Sequence, residues 1–365
     1  MSAPRILIMA GGTGGHVFPA LAVARALAEQ GVEVRWLGTR AGMEARVVTA
    51  AGFPIDFISI AGLRGKGALG WLTAPVRLVR ALAQSLAVLR RFRPGVVLGM
   101  GGFVAGPGGL GAKLLGFPLL IHEQNAAAGL TNRLLARWAH RVLTAFPDVL
   151  TRGEAVGNPV REEIAALPSP DDRFAGRTGS LRVLVIGGSQ GAEALNRIVP
   201  EALGRIAPDR QPLILHQAGE KKLASARESY TAVGITADVR PFLEDMAEAY
   251  GWADLVICRA GALTVSELAA AGAPAILVPF PYAVDDHQTR NARYLTDAGA
   301  ALLVPQAELT AEGLSARIEE FATDAASGRE RLLTMARSAR AGARPAATDE
   351  VTRACLQLAR PGSDV

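Results

Sequence analysis

A strand that runs straight into a cluster of glycines occurs twice in this chain, about half a protein apart. Arg5–Met9 (RILIM) leads into Ala10-Gly-Gly-Thr-Gly-Gly, and Arg182–Ile186 (RVLVI) leads into Gly187-Gly-Ser-Gln-Gly. A short apolar run bounded by glycine and followed by helical periodicity reads as the opening of a parallel α/β unit, whose strands are buried on both faces. Two openings imply two domains, and 365 residues are too many for one ordinary core but comfortable for two. Glycine lets the backbone approach a ligand closely. The helix that follows offers unpaired N–H groups and a positive dipole end, so each loop is suited to an anion.

The rest of the composition narrows the class. Half of the residues are hydrophobic and only 5% are aromatic, which suits parallel strands of Val, Ile and Leu under Ala- and Leu-rich helices. Cys258 and Cys355 form neither a metal-ligand pair nor a disulfide framework, as expected in a reducing cytosol. The apolar run from Ile6 to Ala10 is too short for a signal peptide, and no stretch approaches a membrane span, so a protein neither secreted nor membrane-spanning is expected. The net charge of +5 is modest and calls for no nucleic-acid partner, but its distribution is uneven. No acid lies between Asp56 and Glu123, while Arg64, Lys66, Arg77, Arg80, Arg90, Arg91, Arg93 and Lys113 all do. Such a segment attracts a phosphate-rich surface, unless it is simply a solvated basic helix.

Strands and helices alternate through both halves, the pattern of doubly wound sheets. In the first half, strands are expected near 5–10, 32–37, 55–58, 96–100 and 118–122, with helices near 19–30 and 75–92. In the second, strands are expected near 183–186, 213–217, 239–241, 255–258 and 275–278, with helices near 192–206, 246–252, 263–271 and 288–298. The Pro- and Gly-rich stretch from Gly157 to Ser180 reads as a linker. The division expected is 1–160 and 161–345, with a last helix within 346–360 that could pack back on the first domain.

Several motifs bear chemistry. GGTGGH (Gly11–His16) has the context of a phosphate or sugar-diphosphate loop, but Val17 replaces the third glycine of the dinucleotide fingerprint and no Gly-Lys-Ser/Thr makes it a P-loop. A tight turn needed only for packing is the plainer alternative. His16, on the loop's rim at the carboxyl edge of the sheet, is placed to act as a base. GGSQG also satisfies G-x-S-x-G, the nucleophile elbow, with Ser189, Asp245 and His287 in triad order; that reading leaves the first domain without a role. From Leu255 to Gly272 a strand turns through Gly261 and Ala262 into a helix carrying Thr264, Ser266 and Glu267. Free amides there suit a diphosphate, and a carboxylate one turn in can accept both hydroxyls of a ribose, unless Glu267 is merely an N-terminal helix charge. His122-Glu123-Gln124-Asn125 lacks the second histidine of a zincin, and no D-x-D pair occurs. Gln288 and Asn291 put amides on one helix face, suited to sugar hydroxyls or to an ordinary polar helix start. The helix from Pro75 carries Val76, Val79, Leu82, Leu86 and Leu89 on one face and Arg77, Arg80 and Arg91 on the other. Core packing explains most such stripes; together with Trp71 and Leu72 a membrane-surface role also comes into view.

These motifs in order, with GLRGKG at Gly62, GMGGFVAGPGG at Gly99, GNPVR at Gly157 and RAGALTVSE at Arg259, resemble the MurG family of bacterial glycosyltransferases nearly end to end. The resemblance implies a GT-B fold, two Rossmann-like α/β domains of mainly parallel sheet facing across a cleft. It also implies metal-independent, inverting transfer of N-acetylglucosamine from UDP-N-acetylglucosamine to the 4-hydroxyl of undecaprenyl-pyrophosphoryl-muramyl-pentapeptide (lipid I), giving lipid II for peptidoglycan. Carried over by position, Ser189, its loop amides and Arg161 meet the diphosphate, and backbone near Leu243 reads uracil. Glu267 holds the ribose, and Ala262, Leu263, Thr264, Val265, Ser266, Gln288 and Asn125 line the donor. Thr13, Gly14 and Gly15, counted with the donor contacts, and the Gly101-Gly102 and Gly108-Gly109 turns would face the acceptor pyrophosphate. No cofactor is implied. An anionic membrane and cell-wall synthesis proteins are the implied partners, and the cytoplasmic face of the inner membrane the implied location. Phe103 stands where some members have Tyr, so that hydroxyl is absent here. A serine hydrolase built on Ser189 and a non-catalytic nucleotide-sugar binding protein remain the alternatives from other classes.

Overall fold

A computed structural model describes residues 3–60, 68–188, 191–322 and 325–359, with backbone alone at 68–73, 284, 325 and 326. The chain forms two compact units, Met1–Val160 with Pro345–Val365, and Arg161–Arg344.

Unit 1 runs β1 (Arg5–Met9), α1 (Gly14–Glu29), β2 (Glu33–Gly38), α2 (Met43–Ala50), β3 (Ile55–Phe57), α3 (Ala68–Phe92), β4 (Val96–Gly99), α4 (Ala105–Leu115), β5 (Leu119–Glu123), α5 (Leu130–Leu135), β6 (Arg141–Thr144) and β7 (Glu154–Ala155). Its parallel sheet has the order β3-β2-β1-β4-β5-β6-β7. The two faces of β1 are read directly from its alternation. Ile6 and Ile8 join Val23, Ala24 and Leu27 of α1, whereas Leu7 and Met9 join Leu89 and Phe92 of α3 and Ala112 of α4.

Unit 2 runs α6 (Glu162–Ala165), α7 (Pro170–Phe174), β8 (Arg182–Ile186), α8 (Glu193–Leu203), β9 (Leu213–Gln217), α9 (Leu223–Ala232), β10 (Asp238–Arg240), α10 (Met246–Trp252), β11 (Leu255–Cys258), α11 (Ala262–Ala271), β12 (Ala275–Leu277), α12 (His287–Thr296), β13 (Ala301–Leu303), α13 (Ala311–Ala322) and α14 (Ala325–Ala341). The parallel sheet order β10-β9-β8-β11-β12-β13 repeats that of the first six strands of unit 1, without an equivalent of β7. The final helix, α15 (Ala347–Ala359), belongs to unit 1, where Val351, Ala354 and Cys355 pack with α1.

In both sheets the strand order reverses beside the first strand, at β1/β4 and at β8/β11. Crevices at the carboxyl ends of strands flanking such a reversal are where α/β sheets bind ligands. The repeated strand–glycine loop therefore lands at the one topologically favoured position of each unit.

Several expectations need correction. The stretch 157–180 is not bare linker, since α6 and α7 fall in it, and Arg173 of α7 donates to the carbonyls of Tyr250, Ala271 and Gly272. It thereby caps the ends of α10 and α11. The helix read from Pro75 begins at Ala68, and proline is accommodated within it. Gly108 and Gly109 are not a ligand turn: both are buried inside α4. A Cβ on Gly108 would stand 2.2 Å from Met9 Sδ, and one on Gly109 2.7 Å from Leu135 Cδ2. Their glycines let α4 close on β1 and α5.

This packing makes a graded prediction along one helix. Gly106, whose Cβ would meet nothing nearer than 3.8 Å, should accept alanine with no loss or a gain of up to about 1 kcal/mol from better helix propensity. Gly108→Ala should cost about 1–3 kcal/mol through overpacking. Urea unfolding of the two variants checks the contrast, and equal midpoints would mean α4 does not pack as described.

Candidate functional site

In unit 1 two glycine loops leave β1 and β4 side by side. Gly12 has φ +93°, Gly101 +92° and Gly102 +81°, all in the region glycine alone enters cheaply. A Cβ on Gly102 would sit 2.2 Å from the Gly11 carbonyl oxygen, and one on Gly101 would sit 2.6 Å from His16 Nδ1. Close approach, rather than flexibility, demands glycine here.

Beneath these loops lies a carboxylate that the sequence did not announce. Glu44, fully buried in α2, accepts from the Gly12 N–H (3.1 Å), the Thr39 N–H (2.9 Å) and the Thr39 hydroxyl (2.7 Å). One amide of the first loop is thus already spent on an internal acid. What the loop offers outward is the start of α1, where Thr13 is the N-cap without a side-chain cap bond and Gly14, Gly15 and His16 are half-buried.

The HEQN segment is a second internally bonded structure. Glu123 is buried and accepts from the Asn125 N–H and side-chain amide, the Gly129 N–H and the Asn132 amide, at 2.9–3.2 Å. Asn125 is oriented by this carboxylate at the end of β5. Gln124 and His122 are both fully buried, and His16 Nδ1 lies 2.9 Å from Gln124 Oε1. Gln124 Nε2 lies 3.2 Å from His122 Nδ1, and His122 Nε2 lies 2.8 Å from the Gly157 carbonyl. Burial pushes the His122 imidazole down to about 4, against the opposing pulls of Gly157 and Glu123.

Unit 2 has a matching build. Gly191, at φ +66°, has no room for a Cβ against the Ala218 carbonyl, and that carbonyl is also held by Asn196 of α8. Asn196 Oδ1 meets His216 Nε2 at 3.1 Å, and His216 Nδ1 meets the Tyr230 hydroxyl at 2.8 Å, a buried polar chain under the loop. Ser189 itself lies outside the described residues.

At β11 the turn through Gly261 opens α11 without a side-chain cap. The Val265 N–H makes the first helical bond, to the Gly261 carbonyl. The amides of Ala262, Leu263 and Thr264 are therefore those a helix start leaves for a ligand. The Val265 side chain is fully buried and its amide is used within the helix. The Ser266 hydroxyl bonds back to the Ala262 carbonyl at 2.9 Å, so it too is turned onto the helix.

Glu267 is 4% exposed and pairs with Arg161, whose Nη2 and Nε donate to Oε1 at 2.7 and 3.2 Å; Tyr250 donates to Oε2 at 3.2 Å. Burial raises the Glu267 carboxyl, and the Arg161 charge and the two hydrogen bonds only partly offset it. Burial would lower the Arg161 guanidinium, but Glu267 outweighs it and the net shift is upward. Arg161 stays charged, and the carboxylate is the costly member of the pair.

Gln288 is half-buried with Oε1 accepting from the Phe280 N–H (2.9 Å), while Asn291 is fully buried on the Ala260 carbonyl (3.1 Å). Asn291 therefore holds the β11–α11 turn from within rather than facing a sugar. Leu243 is buried, leaving only its backbone for recognition, and its neighbour Phe242 is exposed. The Asp245 carboxylate caps α10 through the Glu248 N–H at 2.7 Å, an occupation that weakens the hydrolase triad. Among the described residues, no cluster of three or more His, Cys, Asp or Glu is arranged to hold a metal ion.

On α3 the apolar stripe is core only toward its C-terminal end, with Leu82 and Leu86 half-buried and Leu89 buried. Val76 and Val79 are 72% and 67% exposed, while Ala81, Val88, Leu89 and Phe92 are buried. Arg77 and Arg80 are exposed beside the valines, whereas Arg91, expected on the same basic face, is tied to Asp56 at 2.6 Å. Trp71 and Leu72 lie in α3, with side chains outside the description. Three further exposed leucines that the sequence did not single out lie on the next helices, Leu114 on α4 and Leu130 and Leu134 on α5; α3 packs on α4, which packs on α5. Among the described residues, no helix is long and apolar enough to cross a membrane.

Comparison with known proteins matches residues 6–144 to the glycosyltransferase family 28 N-terminal domain and residues 182–349 to its C-terminal domain. The chain is 57% identical to the UDP-N-acetylglucosamine–N-acetylmuramyl-(pentapeptide) pyrophosphoryl-undecaprenol N-acetylglucosamine transferase of Marinobacter nauticus, over 97% of this chain and 98% of that one. It is 59% identical to the protein of the same name from Alkalilimnicola ehrlichii, over 97% and 99%. The crystal structure of Acinetobacter baumannii MurG is similar with a TM-score of 0.82 at 42% identity, covering 97% of this chain and 99% of that one.

The buried histidines predict how stability follows pH. His122 is held at about 4 and His216 at about 3, so both stay neutral while the unfolded chain protonates near 6.5. Below that value the unfolded state binds more protons, so the stabilisation is complete above pH 6.5 and is lost as pH falls through the folded values. For His122 the loss by pH 4 amounts to about 3 kcal/mol. Urea midpoints should fall between neutral pH and pH 4; a flat profile would show that the two imidazoles are not buried neutral.

Proposed function

The chain belongs to glycosyltransferase family 28, and from that premise we propose that it transfers N-acetylglucosamine from UDP-N-acetylglucosamine to the 4-hydroxyl of the muramyl sugar of undecaprenyl-pyrophosphoryl-muramyl-pentapeptide, giving lipid II for peptidoglycan. The observation that carries this reading is likeness over 97% of the chain to relatives of that activity. The residues at the two strand reversals supply parts with matching chemistry.

In unit 2 the amides of Ala262, Leu263 and Thr264 at the start of α11 receive the donor's diphosphate. Glu267 accepts the ribose hydroxyls, a role that requires Arg161 to release part of its hold and turn its charge to the phosphates. Its buried carboxylate is already disfavoured, so exchanging one hydrogen-bond partner for two sugar hydroxyls costs little. In unit 1 His16 takes the proton of the acceptor hydroxyl as it attacks the anomeric carbon, and UDP leaves from the opposite face, which inverts the centre. Amides and Arg161, rather than a metal, offset the charge developing on UDP; turnover that persists in EDTA is expected.

The polyprenyl acceptor stays in the bilayer, so the enzyme has to reach it there. We assign that contact to Val76, Val79, Leu114, Leu130 and Leu134, with Arg77 and Arg80 beside them, at the cytoplasmic face of the inner membrane. Each basic residue near an anionic leaflet contributes about 1 kcal/mol, so the attraction should weaken with salt.

Two measurements test these roles. With a lipid I analogue, His16→Ala should lower turnover roughly 10²- to 10⁴-fold with little change in donor KM. In the same assay Glu267→Gln should weaken donor binding by about 1–3 kcal/mol. Turnover of His16→Ala within a few-fold of wild type would remove it as the base. For the membrane surface, Arg77→Glu with Arg80→Glu and Val79→Ser should abolish sedimentation with anionic vesicles and leave turnover of a soluble short-chain acceptor nearly intact. Undiminished vesicle binding would mean α3 is ordinary surface.

A further inference from the structure

The chain of side chains behind His16 has a direction, and it starts at a group whose role cannot change. The Gly157 carbonyl can only accept, so His122 Nε2, 2.8 Å away, carries a proton. His122 is fully buried and held well below its ordinary value, so it is neutral and has that one proton only. Its Nδ1 is then an acceptor, which requires the amide nitrogen of Gln124 to face it across 3.2 Å. The same amide must therefore turn its oxygen to His16, and an amide oxygen can only accept. The reverse arrangement would set two acceptors, His122 Nε2 and the Gly157 carbonyl, against each other at 2.8 Å without a proton between them.

We propose that Gln124 and His122 are positioning residues that fix the proton of neutral His16 on Nδ1 and leave Nε2 as its basic lone pair. A free neutral imidazole prefers the opposite tautomer, so the relay inverts an intrinsic preference. Which ring nitrogen carries the proton is set by the bond the other makes. Gly101 completes the seat: with a Cβ it would approach His16 Nδ1 to 2.6 Å, so the glycine leaves the ring room to reach Gln124. The sequence carries this device as His122-x-Gln124, on alternate positions at the end of β5 and just beyond it. Both side chains thus leave the same face of the strand.

The consequence for transfer rests on reading His16 as the base, but the tautomer can be measured without turnover. The protein has five histidines, so long-range 1H–15N correlation on 15N-histidine protein resolves them, and His16→Ala assigns the signal of interest. Neutral His16 should show a protonated Nδ1 and a bare Nε2, and Gln124→Met should move the proton to Nε2. In that variant kcat should fall roughly 10- to 100-fold while the KM for UDP-N-acetylglucosamine stays within twofold. A proton on Nε2 in the wild type, or one that stays on Nδ1 in Gln124→Met, overturns the assignment. Activity lost in His16→Ala but kept in Gln124→Met discards the relay alone, whereas activity kept in both discards the base.

Discussion

Two backbone loops leaving neighbouring parallel strands at a strand-order reversal have to pass within van der Waals contact, and in unit 1 they do so only because neither carries a Cβ at the crossing. Gly102 lies against the Gly11 carbonyl and Gly101 against the His16 ring. Everything proposed for the acceptor side follows from that contact, since it sets where α1 begins and where the imidazole stands. In unit 2 a different pair of neighbouring loops, those after β8 and β9, is crowded, with Gly191 against the Ala218 carbonyl. A larger residue at Gly102 or Gly191 would have to move backbone, which is far harder than moving a side-chain tip, and one at Gly101 would displace the His16 ring.

Loops this closely packed need internal partners, and the protein supplies them as buried polar groups. Burying a carboxylate is costly unless its oxygens are hydrogen-bonded. Glu44 and Glu123 meet that condition with backbone and side-chain donors from the segments they organise. Glu267 differs. Its partners, Arg161 and Tyr250, do not fully offset burial, and the carboxyl is raised. A buried carboxylate left short of compensation is one that a ligand's hydroxyls can stabilise, whereas Glu44 and Glu123 are satisfied from within.

The apolar residues of α3 show the opposite economy. A helix that buries Ala81, Val88, Leu89 and Phe92 has already met its packing needs, so Val76 and Val79 contribute nothing to the core of unit 1 as described. Their exposure gives unit 1 an apolar surface better matched to an interface than to water.

The strand–glycine repeat, the βα alternation and the two-faced pattern of β1 were legible in the chain, because they are properties of neighbouring residues with periods of two and of 3.6. His16, Arg161 and Glu267 could be nominated as candidates for a similar reason, through motifs that keep fixed local spacing. What the chain could not reveal is which polar groups find each other across it: Glu44 with Gly12, Arg91 with Asp56, Asn291 with Ala260, and Gln124 with His16, 108 residues apart. The same limit misread Gly108 and Gly109 as a turn, since a glycine pair looks alike whether it bends a loop or admits a neighbouring helix. Local sequence sets the backbone's repeating geometry. Only the assembled sheet decides which side chains are close enough, and dry enough, to bond.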